Sequence, residues 1–181
     1  NVGCIPTKAL LHSADVLHDF HRAKDYGIAA EGGAHVDMSA LDQYRTRVVT
    51  KNTKGVEFLM KKNKVDVVRG VGRLAGAGKV TVTAADGSTR TLAARHVVLA
   101  LGSVVRSLPG FEFDGERVIS STEALTLTKV PESMAILGAG AIGVEFASIY
   151  SRFGSQVTVI ELLPHLLPLE DEEISAELER A

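Results

Sequence analysis

Met134-Ala135-Ile136-Leu137-Gly138-Ala139-Gly140-Ala141-Ile142-Gly143-Val144-Glu145, completed by Val157-Thr158-Val159-Ile160-Glu161, is the stretch on which the fold turns. Apolar Ala135 to Leu137 reads as a strand that runs into three glycines spaced G-x-G-x-x-G. Gly138 permits the tight turn, Gly140 lets a pyrophosphate approach the backbone, and Gly143 lets helix and strand pack closely. The helix opened there runs to about Phe153 and stops at Gly154, and its N-terminal N–H groups with their positive dipole end suit phosphates. Val157 to Ile160 is the next strand. It ends on Glu161, 23 residues after Gly138, where a carboxylate can accept from both ribose hydroxyls. The same charge repels a 2′-phosphate, which favours NAD over NADP. A glycine turn alone is common; strand, glycines, helix, strand and acid in this order make a dinucleotide site.

Outward from that unit, Pro131 begins it, and Glu170-Asp171-Glu172-Glu173 reads as the capped, solvated start of a further helix. Upstream, a helix is expected from about Pro6 to Lys24, ended near Gly27, followed by a loop over Glu31-Gly32-Gly33-Ala34-His35. Asp37 or Ser39 can cap a long helix to about Asn63. Leu41, Tyr44, Val48, Asn52, Gly55 and Leu59 mark one face of it. Strands are expected at 65–68, 79–83, 88–92 and 96–100, with Asp86-Gly87 as a hairpin turn. Residues 118–120 read as a short strand and Ser121 to Leu127 as a short helix.

Composition narrows the function. Twenty Lys and Arg against 22 Asp and Glu leave the 181 residues with a net charge of −2, so no overall positive field draws the chain to nucleic acid. No apolar run reaches the roughly 18 residues of a membrane span, and no signal peptide opens the chain. A single cysteine cannot form an internal disulfide, which excludes the disulfide-stapled secreted class. The six histidines show no metal spacing, and His12, His18 and His21 read as a solvated helix face. No metal site is expected. The chain begins at Asn1 and ends in a helical pattern at Arg180-Ala181, as an excised piece of a longer protein would.

Alone, Cys4 reads as a small buried hydrophobe and Lys8 as a surface residue. Their position beside a helix N-terminus permits another reading. There the helix dipole favours thiolate over thiol, and a buried cation lies four residues along.

Asn1-Val2-Gly3-Cys4-Ile5-Pro6-Thr7-Lys8-Ala9-Leu10-Leu11 resembles the redox-active segment of the class I pyridine nucleotide-disulfide oxidoreductases, and among them the dihydrolipoamide dehydrogenases. That segment carries C-x-x-x-x-C, so the resemblance makes Cys4 the second, flavin-proximal sulfur, with its partner preceding Asn1. It makes Lys8 the lysine beside the flavin and Glu145 its ion-pair partner, these three forming the catalytic set. Gly70-Val71-Gly72 resembles the loop that reads the FAD adenine, Gly72 included. Leu99-Ala100-Leu101-Gly102-Ser103 resembles the second flavin motif, with Leu101 in place of a threonine. Residues Gly138, Ala139, Gly140, Ala141, Ile142, Gly143, Val144, Glu145 and Glu161 would hold NAD, with Ala141 and Ile142 leaving the nicotinamide face accessible.

The resemblance therefore implies an α/β chain with two doubly wound, Rossmann-like domains. Residues 1–128 would be an FAD domain without its N-terminal part and with a β-meander insertion. Residues 129–181 would be an NAD domain without its C-terminal part. The implied reaction oxidises a protein-bound dihydrolipoyl group, using FAD, and reduces NAD⁺. The implied partners are the lipoyl domain of a 2-oxo acid dehydrogenase complex and a second copy, in a homodimer made through the C-terminal domain. Cytoplasm, or the mitochondrial matrix in a eukaryote, is the expected compartment, and residues 1–181 alone are expected to be inactive. A mercuric or glutathione-type flavin reductase, or a dinucleotide-binding flavoprotein lacking the disulfide, are the alternatives.

Overall fold

The computed structural model describes residues 1–29 and 32–181, so Glu31 of the expected loop lies outside the described residues. The chain divides into two compact units: residues 1–53 with 107–181, and residues 54–106. This division follows packing and is separate from a division by cofactor at 128/129.

The first unit begins with α1, Cys4–His21. Pro6 sits in its first turn, where a missing N–H costs nothing. The helix starts two residues earlier than expected and ends at His21, after which Ala23–Tyr26 tighten into a 3₁₀ turn closed by Gly27 at φ 74°. The long helix α2, Met38–Lys62, is capped by Asp37, whose Oδ1 accepts the N–H groups of Ser39 and Ala40 at 2.9 and 3.0 Å. Of its expected apolar face only Leu41 is buried.

Short helix α3, Ser121–Ala124, carries a capping box: Ser120 accepts the Thr122 N–H at 3.1 Å and Glu123 accepts the Ser120 N–H at 2.7 Å. Residues 118–120 form no strand, because Ser120 serves as that cap. β4 (Ser133–Leu137), α4 (Ala141–Phe153) and β5 (Gln156–Ile160) form the expected strand–helix–strand unit. The two strands pair in parallel from Ser133↔Gln156 to Leu137↔Ile160, and parallel neighbours require such a crossover. Gly154, at φ 106°, ends α4 in the left-handed conformation that glycine accepts. The last helix, α5, spans Glu172–Arg180 with Asp171 as its N-cap.

The core of this unit joins Leu10 of α1, Leu41 of α2, Ala124 and Leu125, and Phe146, Ile149 and Tyr150 of α4. Met134, Ile136 and Val157 pack against it from the strands. Helices α1 and α4 thus share one core.

The second unit is an antiparallel meander of β1 (Val71–Leu74), β2 (Lys79–Thr83) and β3 (Thr89–Ala93) in the order β1-β2-β3. Asp86-Gly87 makes the turn between β2 and β3, with Asp86 Oδ1 accepting the Ser88 N–H at 2.9 Å. Residues 71–72, expected as loop, belong to β1 because Gly72 pairs with Val82. Conversely, 65–68 and 96–100 are not strands. Their apolar pattern is intact, but a strand forms only against a ladder partner, and Val98 and Leu99 stay exposed at 87% and 62%.

Candidate dinucleotide and redox site

The turn after β4 has the geometry that its glycines predict. The Gly138 N–H donates to the Ile160 carbonyl at 2.8 Å, and φ at Gly138 is 102°, a conformation that disfavours any side chain. A Cβ at Gly143 would strike the Gly138 carbonyl and reach Ile136 Cγ2 at 3.4 Å, so only glycine lets α4 lie this close to β4. Gly140 differs: its φ is −69° and a Cβ there would meet open space. What it provides is an unobstructed approach to the first turn of α4, which no side chain caps. Free N–H groups at an open helix N-terminus fit a pyrophosphate.

Glu161 stands at the end of β5, as expected, yet its carboxylate is turned onto the chain. Oε2 accepts the Ala139 N–H at 2.7 Å, while Oε1 accepts those of Leu162 and Leu163 at 2.7 and 3.0 Å. These bonds, that from Ala139 foremost, hold the carboxyl below its ordinary range. Ala139 is buried, Ile142 is exposed, and Ala141 and Val144 lie on the first turn of α4.

Cys4 is the first residue of α1 and is exposed. One turn along, Lys8 Nζ lies 2.5 Å from Glu145 Oε1, joining the cysteine-bearing helix to the helix of the glycine turn. The pair is partly open, with side-chain exposures of 59% and 27%, so Lys8 is not the buried cation expected from the sequence. Cys4, Lys8 and His12 of α1 and Tyr44, Val48 and Asn52 of α2 line a groove of about 340 Å³.

The remaining flavin-motif residues belong to the second unit. Gly72 has no steric need to be glycine, since a Cβ would meet Val80 Cγ1 at an ordinary 3.7 Å. The constrained position is Gly70, at φ 150°, where a Cβ would meet Val82 Cγ1 at 2.7 Å. Gly102, at φ 75° in open space, offers its backbone, and Ser103 is exposed with its hydroxyl available. Leu101 is 86% exposed and supplies no hydroxyl.

Two contacts escape the motif. Asp15 pairs with Arg152, a second bridge between α1 and α4. The Leu167 N–H donates to the Ala139 carbonyl at 2.9 Å. The first was legible as a repeat: 8 to 15 and 145 to 152 both advance seven residues, with the charges reversed between helices. The second has no side-chain signature. Among the described residues, no group of three or more His, Cys, Asp or Glu could hold a metal ion, and no helix is long and apolar enough to cross a membrane.

The family described as pyridine nucleotide-disulphide oxidoreductase matches residues 1–181. A dihydrolipoyl dehydrogenase of Chlorobaculum parvum is 46% identical over 181 residues, covering all of this chain and 38% of that protein. A mitochondrial dihydrolipoyl dehydrogenase of Pisum sativum is 37% identical over 182 residues, again across the whole chain and 36% of its own length. The crystal structure of LpdA from Mycobacterium tuberculosis superposes with a TM-score of 0.84 at 26% identity, covering 99% of this chain and 39% of that one. The chain therefore spans somewhat over a third of the length of the relatives it matches. Dihydrolipoyl dehydrogenases of this family use FAD and NAD. With a strand–G-x-G-x-x-G–helix–strand–acid unit joined through Glu145 to a cysteine-bearing helix, and a family match from end to end, this chain belongs to the pyridine nucleotide-disulphide oxidoreductases.

Proposed function

We propose that this chain carries the flavin–nicotinamide junction of an NAD⁺-linked dihydrolipoyl dehydrogenase, with residues 1–128 on the FAD side and 129–181 on the NAD side. The observation that carries the reading is the Lys8–Glu145 pair, 2.5 Å long and spanning 137 residues of sequence. It ties the helix that presents Cys4 to the helix that opens on the glycine turn, as a two-cofactor relay requires.

FAD, when bound, supplies a two-electron carrier between a dithiol and nicotinamide. The chain's own residues do the positioning. Cys4 lines the α1–α2 groove together with Val48, whose apolar side chain suits an aliphatic dithiol arm. Lys8 holds positive charge beside it, fixed in direction by Glu145. Gly72, Leu101, Gly102 and Ser103 contribute to the FAD cradle, with only backbone at Leu101. Gly138 to Val144 receive the pyrophosphate, Ile142 borders the nicotinamide, and Glu161 sets the preference for NAD.

The partner cysteine lies five residues before Cys4 in this reading. The dithiol arrives on the lipoyl domain of a 2-oxo acid dehydrogenase complex, and a second copy completes the active site in a homodimer. A cytoplasmic or mitochondrial-matrix setting agrees with the bacterial and mitochondrial relatives. The full-length protein, assayed with dihydrolipoamide, is expected to reduce NAD⁺ far faster than NADP⁺. Turnover of mercuric ion or glutathione disulfide with none of dihydrolipoamide would overturn the substrate, and a preference for NADP⁺ would overturn the role of Glu161.

A further inference from the structure

Ala139, between the first two glycines of the turn, is fully buried, and both of its backbone groups are engaged by residues that follow β5. Its N–H donates to Glu161 Oε2 at 2.7 Å, and its carbonyl accepts the Leu167 N–H at 2.9 Å. Leu167 sits at φ 47°, where a branched side chain is strained. Its own carbonyl accepts the Glu170 N–H at 2.9 Å and the hydroxyl of fully buried Ser175 at 3.3 Å. Strain is kept only where the surroundings over-determine it. Residues 161–167 are thus built against the glycine turn and do not merely follow it in sequence.

A carboxylate offers about four acceptor sites. Three on Glu161 are already taken, by Ala139, Leu162 and Leu163, before any ribose arrives. Bonds to an ionised acceptor are the stronger kind. A turn whose N–H groups must aim at an anion gains affinity by being ordered beforehand, since ordering it on binding would subtract from the affinity.

We propose that Glu161 and Leu167 are positioning residues that clamp the Ala139 peptide from both sides and preform the phosphate-binding turn, so that Glu161 strengthens nucleotide binding even where no ribose hydroxyl touches it. The inference rests on the reading of this turn as the NAD site.

The test uses the full-length protein and Glu161→Gln, which leaves one acceptor oxygen for three N–H donors. Calorimetry compares NAD⁺ with its 2′,3′-dideoxyadenosine analogue, which lacks both hydroxyls that a carboxylate could hold. Amide exchange is followed at Ala139 in the nucleotide-free protein. The expected result is analogue binding at least threefold weaker in the variant, with Ala139 exchange at least tenfold faster and amides inside α4 unchanged. Equal analogue affinity in parent and variant, or unchanged exchange at Ala139, would overturn the clamp and leave Glu161 a ribose contact only. Should the variant unfold, acidifying the parent until Glu161 protonates must release Ala139 ahead of α4, and release together with α4 would count against the clamp. A parent that binds neither nucleotide would refute the NAD reading, and the exchange measurement would still decide the clamp.

Discussion

Lys8 Nζ and Glu145 Oε1 lie 2.5 Å apart, and seven residues further along both helices Asp15 meets Arg152 with the charges exchanged. Seven residues are about two helical turns, so α1 and α4 run side by side in the same sense with a bridge at each end of the contact. Both bridges are partly solvent-exposed, so each is worth at most about 1 kcal/mol of stability. The Lys8–Glu145 bridge differs from the other in standing beside Cys4. Lys8→Met and Glu145→Gln are each expected to lower turnover about tenfold or more, with little change in unfolding free energy. Asp15→Asn is expected to leave turnover near the parent value. Steady-state kinetics beside denaturant unfolding checks all three.

Gly140 and Gly143 separate binding from folding. Gly143→Ala drives a methyl into the Gly138 carbonyl and is expected to cost about 1–3 kcal/mol of stability. Gly140→Ala places its methyl in open space at a φ of −69° and should barely change the melting temperature. That methyl stands at the open N-terminus of α4, so NAD⁺ affinity should fall severalfold. Thermal unfolding and calorimetry on the same two variants distinguish the effects.

The Glu161 carboxyl is held below its ordinary 4.5 by backbone donors, that of Ala139 first. A depressed carboxyl contributes stability that is complete above its unfolded value and disappears as pH falls through the folded value. NAD⁺ affinity is therefore expected to be level with respect to this group from neutrality down to about pH 5 and to fall only below that. Glu161→Gln should remove that acid limb. Titration of binding against pH in both proteins measures it.

Tyr150 donates its hydroxyl to the Ala124 carbonyl inside the core, and burial pushes its pKa up from 10.0 to about 12. A raised phenol favours the folded state below its unfolded value and loses that contribution as pH climbs from 10 towards the folded value of about 12. Tyr150→Phe strands a buried carbonyl, at an expected cost of about 1–3 kcal/mol. It should also flatten the alkaline end of the stability curve, as denaturant midpoints across pH 8–11 would record.

Legibility in the sequence followed the range of the forces involved. The β4–α4–β5 unit was readable because each glycine, the alternation of the strands and the terminal acid are local signals, and all agree. The α1 boundaries shifted by two or three residues, since Gly27 closes a 3₁₀ turn after the helix, whereas Asp37 marked the start of α2 correctly. Residues 96–100 are the most apolar of the four strands expected between 65 and 100 and still form no strand, because a ladder partner is not a property of the segment itself. β1 went unread for the opposite reason: glycines disguise residues that β2 holds in register. At the site, the pairing of Lys8 with Glu145 was expected from the family resemblance alone, since each residue by itself reads as a surface charge on a helix. Nothing in a leucine announces that the Leu167 N–H will hold the Ala139 carbonyl.

The central claim is that Cys4 and the glycine turn serve one reaction. Cys4→Ser in the full-length protein tests it most directly, with NADH formation from dihydrolipoamide measured beside NAD⁺ binding. Turnover is expected to fall by about a thousandfold or more while the NAD⁺ dissociation constant stays within twofold of the parent. Retention of dihydrolipoamide-dependent NADH formation near the parent rate would contradict the claim.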